Sequence, residues 1–247
     1  MGKVMSIMSV EKNSHSGRAR HLFPLFLLSL VFLALIGCSG AVASRAQLET
    51  EGASRKQIWM MGRSTMAGWF THWGSDGTRP VKRGRFVLTY KEVQPPPQIV
   101  KSVRNYLAAA ARRPTVFFKL CFVDFEGGSR DAAEANLARN KTYVRRAYRV
   151  VVTDYHKRLI IGNALPKVAG ETDTWLVWNH EQYNSWLNSF AAAHPGQVYI
   201  FNQYDALKDA DGNLRADYAT AADDSHPNDA GYTAMDAVFF PFLRSNF

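Results

Sequence analysis

From residue 57 onward, five short apolar runs alternate with longer stretches of helical periodicity, and no other feature restricts the fold so strongly. The runs cover 58–61, 86–90, 116–123, 159–165 and 198–201. The spacing of apolar residues predicts helices over 65–73, 98–112, 131–156, 180–194 and 229–243, with Pro241 distorting the end of the last. Such alternation implies parallel strands joined by right-handed crossovers, because each helix must return the chain to the same end of the sheet. The expected architecture is a three-layer α/β/α sandwich around a five-stranded parallel sheet. Reactive groups in such a sheet gather at the carboxyl ends of its strands.

Upstream lies a different kind of segment. Residues 22–36 read LFPLFLLSLVFLALI, without a charge, after the basic Arg18-Ala19-Arg20 and before small residues. A basic start, an apolar middle and a small-residue end are the three regions of a secretory signal. The boundary Leu35-Ile36-Gly37-Cys38 resembles the bacterial lipobox, which implies cleavage before Cys38 and lipidation of its sulfur. Several acyl chains would then hold the protein firmly, where one would not. Two alternatives stay open: cleavage after Ala43 in Ala41-Val42-Ala43, releasing a soluble protein, or retention of the uncharged run 22–43 as a membrane span. All three export the chain. The expected organisation is a signal peptide over 1–37, a polar tether over 38–56 and a folded domain over 57–247, in an exported bacterial envelope protein held in the periplasm or at the outer membrane.

Removing 37 of 247 residues leaves 210, enough for one domain with a full core. Hydrophobic residues at 47% and charged residues at 21% exclude disordered and disulfide-scaffold classes. The net charge is +9, of which Lys3, Lys12, Arg18 and Arg20 against Glu11 put +3 in the leader. The remaining +6 suits anionic surfaces or substrates, and with export it gives no reason to expect a nucleic-acid partner. Cys121, in an apolar run, has only Cys38 as a possible mate and is expected to be a small buried hydrophobe.

Two short stretches carry the chemistry. Gly62-Arg63-Ser64-Thr65 puts a serine where the first strand turns into a helix, next to free backbone N–H groups that can stabilise developing negative charge. Asp223-Asp224-Ser225-His226-Pro227-Asn228 precedes the last helix. In a turn, an Asp three residues before a His can reach its Nδ1–H and leave Nε2 for a nucleophile, which selects Asp223 and leaves Asp224 one residue too close. Taken singly, each stretch also reads as helix capping, by Ser64 or Thr65 in one and by Asn228 or Asp229 in the other.

Jointly they resemble the SGNH/GDSL hydrolase superfamily: strand-G-x-S at the start and D-x-x-H-P-N before a last helix, over about 58–243. The resemblance implies a flavodoxin-like sheet and a serine esterase, with Ser64 as nucleophile and Asp223 and His226 as acid and base, and no cofactor. The ordinary α/β-hydrolase elbow, G-x-S-x-G, is not met, because Met66 stands two residues after Ser64. The chain also departs from the superfamily. Arg63 replaces the usual Asp of G-D-S and is either structural or a contact for an anionic substrate group. The second-block glycine is missing from Glu92-Val93-Gln94-Pro95-Pro96-Pro97. Asp124 stands where the third block carries its oxyanion Asn, and an ionised carboxylate accepts hydrogen bonds rather than donating them. Asn163 is a possible polar neighbour of the site or a turn residue beside Gly162.

His72, His156, His180 and His194 show no metal-ligand spacing, so no metal is expected. Lys141, Arg145 and Arg149 form a basic stripe, either a solvated face or an attraction for anionic lipid or polysaccharide. The expected function is hydrolysis or transfer of an acyl or acetyl ester, on a small molecule, a carbohydrate or an envelope component. The alternative is a noncatalytic envelope or glycan-binding protein on the same scaffold.

Overall fold

Strand residues that face alternately to either side, and are buried on both sides in the central strands, supply both faces of a central sheet. The computed structural model describes residues 55–110 and 114–247, so the expected signal, Cys38 and all but the end of the tether lie outside the described residues. The elements run β1 (Lys56–Gly62), α1 (Ser64–His72), β2 (Val81–Arg83), β3 (Phe86–Glu92), α2 (Ile99–Ala108), β4 (Thr115–Lys119), α3 (Arg130–Tyr148), β5 (Leu159–Gly162), α4 (Thr174–Ala192), β6 (Val198–Phe201), α5 (Tyr204–Leu207), β7 (Ala219–Ala221), β8 (Asp224–Pro227) and α6 (Asp229–Asn246).

The main sheet has the order β2-β3-β1-β4-β5-β6. Five of its strands are parallel, as the alternation requires, with Ile58 opposite Leu88 and Thr115, and Ile160 opposite Phe117 and Tyr199. The sixth, β2, is an antiparallel edge strand absent from the sequence reading. Its Val-Lys-Arg has no apolar run to announce it. A short, charged strand of this kind blunts an exposed sheet edge. Gly84, at φ +55°, makes the tight turn that returns β2 onto β3.

The two faces of the sheet bury separate cores. Ile58, Met60, Phe117, Ile160 and Phe201 point to the layer formed by α1 and α6. Met61, Val116, Phe118, Leu159 and Ile161 point to the layer of α2, α3 and α4. The first core is aromatic: Trp69 of α1 lies 4.8 Å from Phe239 of α6, and Phe239 lies 5.6 Å from Phe117 and 5.0 Å from Phe201 between ring centroids. Both Trp69 and Trp73 donate their indole N–H to the Asp236 carboxylate of α6. These aromatics therefore hold helix to helix.

Helix boundaries follow local chemistry. Asp173 accepts from the Trp175 and Leu176 N–H groups and starts α4 six residues before the predicted 180. Asn228 accepts from Gly231 and starts α6. Helix α3 continues as a π-helical turn over Arg149–Asp154, which gives the predicted long helix its length. Of the basic stripe, Lys141 and Arg145 lie over the Trp186 ring of α4, at 5.7 and 5.1 Å. They therefore pack against a neighbouring helix rather than standing free. Cys121 is buried.

Phe239 links α1, α6 and two strands, so Phe239→Ala should lower unfolding free energy by about 3–5 kcal/mol, measured by urea denaturation.

Candidate active site

Strand β1 delivers the serine. Gly62 ends it, and a Cβ there would lie 2.8 Å from the Met66 Cβ, so the close turn into α1 requires glycine at this point. Arg63 is the N-cap residue and gives no side-chain cap. The first-turn N–H groups of α1 are left without side-chain capping around Ser64, which is itself exposed at the carboxyl end of the sheet.

Strand β8 delivers the other two groups, and here the sequence expectation needs correction. Asp224-Ser225-His226-Pro227 is extended and pairs antiparallel with β7. In a strand, residues two apart share a face. Asp224 and His226 therefore point together toward Ser64, while Ser225 points inward, donating to Glu171 and accepting from the Val168 N–H. The acid beside His226 is Asp224, not Asp223, which is exposed in the turn between β7 and β8. The expectation of a turn at this place was the source of the error.

The resulting series is short. His226 Nε2 lies 2.9 Å from Ser64 Oγ, and His226 Nδ1 lies 2.6 Å from Asp224 Oδ1. The same carboxylate oxygen accepts the His226 backbone N–H at 2.9 Å. These two hydrogen bonds hold the Asp224 carboxyl below its ordinary range against the opposing effect of burial. An ionised Asp224 fixes the proton on Nδ1 and leaves the Nε2 lone pair for the serine hydroxyl. The Phe122 ring meets the imidazole edge-on at 5.0 Å and limits its rotation.

The remaining sequence candidates are occupied elsewhere. Arg63 and Asp124 face each other: Arg63 Nη2 lies 2.5 Å from Asp124 Oδ1, an ion pair whose N–H is not aligned as a hydrogen bond. Asp124 Oδ2 also accepts the Cys121 N–H, and its carbonyl accepts the side-chain amides of Asn136 and Asn140. Asp124 is thus a structural clamp, and Arg63 is its partner rather than a free anion contact. Asn163 accepts the Gln203 and Tyr204 N–H groups and donates to Asn202, so it ties β5 to the loop after β6. None of its hydrogen bonds reaches Ser64 or His226. His72 bridges to Asp229 of α6 at 3.0 Å. Among the described residues no group of three His, Cys, Asp or Glu could hold a metal ion.

One neighbour of the site was missed. Lys119, at the end of β4, is buried and donates to the Thr65 hydroxyl, one residue beyond Ser64. The signal was present: a single cation inside the apolar Val116-Phe117-Phe118-Lys119-Leu120-Cys121-Phe122-Val123 needs a reason to be there. Burial pushes its ammonium down to about 8, with Cys121 and Asp124 opposing and Arg63 adding to the shift. Tyr232 of α6 donates to the Thr65 carbonyl, so the first turn of α1 is held from both sides.

No family model matches the sequence, and no curated protein matches it either. Solved structures do. A GDSL-like lipase from Bacteroides thetaiotaomicron superposes with a TM-score of 0.57 at 14% identity, over 81% of this chain and 91% of that one. A protein of the G-D-S-L family from Desulfitobacterium hafniense gives 0.52 at 14%, over 76% and 100%. A carbohydrate acetylesterase from Sinorhizobium meliloti gives 0.50 at 11%, over 78% and 100%. The chain therefore has the fold of these GDSL-type proteins.

The folded-state depression of Lys119 has a definite sign. Below pH 8 the lysine is protonated in both folded and unfolded chains and burial costs stability in full; between about 8 and its ordinary 10.5 the folded chain sheds the proton first. Unfolding free energy of the wild type should rise across that window relative to Lys119→Met, measured by urea denaturation at stepped pH. Parallel curves would show that the lysine is not the titrating group.

Proposed function

We propose that the protein is a serine esterase that acts outside the cytoplasm on an acyl or acetyl ester. The observation that carries this reading is the unbroken series from Ser64 Oγ through the His226 imidazole to Asp224 Oδ1, at 2.9 and 2.6 Å. Ser64 attacks the acyl carbonyl while His226 Nε2 takes its proton. His226 then returns the proton to the leaving alkoxide, and water or another acceptor releases the acyl group from Ser64 in a second round of the same transfers. Asp224 holds the imidazole tautomer and stabilises the imidazolium.

The oxyanion needs donors that a third-block Asn does not supply here. The Ser64 N–H at the uncapped start of α1 is one. The buried Lys119 ammonium, attached to the same turn through the neutral Thr65 hydroxyl and only partly offset by Asp124, adds positive potential there. A helix N-terminus and a cation near each other are unfavourable until negative charge develops between them, so the stabilisation is realised in the transition state.

The fold hosts ester hydrolysis in the similar lipase and carbohydrate acetyl-ester hydrolysis in the Sinorhizobium protein, which supports an acylated carbohydrate or envelope component as substrate. Export is supported by the charge-free run 22–36, and anchoring by the lipobox-like residues that end at Cys38. The noncatalytic glycan-binding reading draws on Asp124 replacing the oxyanion Asn, and it requires an inert serine.

A fluorophosphonate probe should label Ser64 in the wild type and not in Ser64→Ala. An unlabelled wild type that still binds glycan would favour the binding protein. Ser64→Ala should lower kcat for an acetyl ester by about 10³-fold or more. Asp224→Asn should lower it by a comparable factor, near 10⁴-fold at most, while Asp223→Asn leaves it within about two-fold. Equal losses from the two aspartates would contradict the strand geometry of β8.

A further inference from the structure

The end of the sheet opposite Ser64 is strongly basic. Arg55 and Lys56 open β1, Arg83 and Arg85 flank Gly84 in the β2–β3 hairpin, Arg158 precedes β5, and Arg244 lies in the last turn of α6; all six are exposed. None forms an ion pair with a carboxylate among the described residues. Their visible contacts are to carbonyls and rings. Arg85 donates to the Arg244 carbonyl and lies 5.3 Å over the Phe86 ring, Arg83 donates to the Lys82 carbonyl, and Arg158 lies over the Phe247 ring. Between the hairpin and α6 opens a cavity of about 680 Å³, lined by Arg83, Gly84, Arg85, Phe86, Phe240 and Arg244. Three guanidinium groups around an aromatic wall suit a phosphate attached to an apolar body.

Position decides between possible sources of that phosphate. The chain reaches the domain at this same rim, through Arg55 and Lys56, after a segment whose residues 22–36 carry no charge. About 16 residues separate Cys38, where the lipobox-like boundary puts the lipid, from Arg55, so an anchor there would keep the rim within reach of a bilayer. We propose that this basic rim docks on anionic phospholipid headgroups, with the cavity between the hairpin and α6 taking a lipid phosphate. The parallel sheet then points its carboxyl ends, and Ser64 with them, away from the membrane.

Each basic residue near an anionic bilayer strengthens binding by about five-fold, so three arginines account for about 100-fold. The full chain is to be compared with its Arg83→Gln/Arg85→Gln/Arg244→Gln variant on vesicles of phosphatidylcholine alone or with one-third phosphatidylglycerol. On anionic vesicles the variant should bind about 100-fold more weakly and show a shallower salt dependence than the wild type, while the two bind neutral vesicles alike. Hydrogen exchange of the wild type on anionic vesicles should slow in 81–88 and 240–247. Equal binding of both proteins to anionic vesicles overturns the proposal. So does slowing of the same peptides by glycerol phosphate without vesicles, which would make the cavity a site for a free phosphate compound. The variant leaves every group near Ser64 in place and should hydrolyse a soluble ester at the wild-type rate, so a failed docking experiment and a failed esterase assay are separate results.

Discussion

The packing of α1 against α6 on one face of the sheet is the constraint from which the site follows. Trp69 on Phe239, the two indoles on Asp236 and the Tyr232 hydroxyl on the Thr65 carbonyl make the two helices a unit. Both start at the carboxyl rim of the strands. The residue opening α1 is Ser64, and the strand leading into α6 carries His226. Groups 162 residues apart meet because their helices have nowhere else to lie.

Much of this could be read from residue patterns. The five parallel strands announce themselves through apolar runs, and the serine and histidine through their positions next to the first and last helices. Period decided the acid: a turn would have presented Asp223, whereas a strand presents Asp224, and four residues with a proline and a histidine carry too little alternation to reveal a strand. β2 escaped for a related reason, since two of its three residues are charged. Arg63, Asp124 and Asn163 were visible as polar residues near the right strand ends, but which of them is spent on its neighbours is a question of three-dimensional pairing. Asp124, for example, serves residues from 63 to 140.

The electrostatics around the first turn of α1 are unusual in arrangement. Arg63 and Asp124 neutralise each other beside the site, while Lys119 beneath it has a neutral hydroxyl as its hydrogen-bond partner. A cation so placed costs folding free energy, and burial weakens its hold on its proton. In the proposed esterase reaction, a charge held by the neighbouring Thr65 in place of a donor touching the oxyanion would exchange directional hydrogen bonding for a longer-range field, which is less selective about the shape of the reacting group.

The β7–β8 ribbon is not part of the main sheet, and Ser225, through Glu171 and Val168, is one of its few side-chain ties to the rest of the molecule. Asp224 and His226 ride on this ribbon, and Ser64 follows a strand of the sheet. Small pairs of strands open at lower free energy than the cores they border. Loosening of the ribbon alone would part His226 from Ser64 while the two cores on either face of the main sheet stay closed.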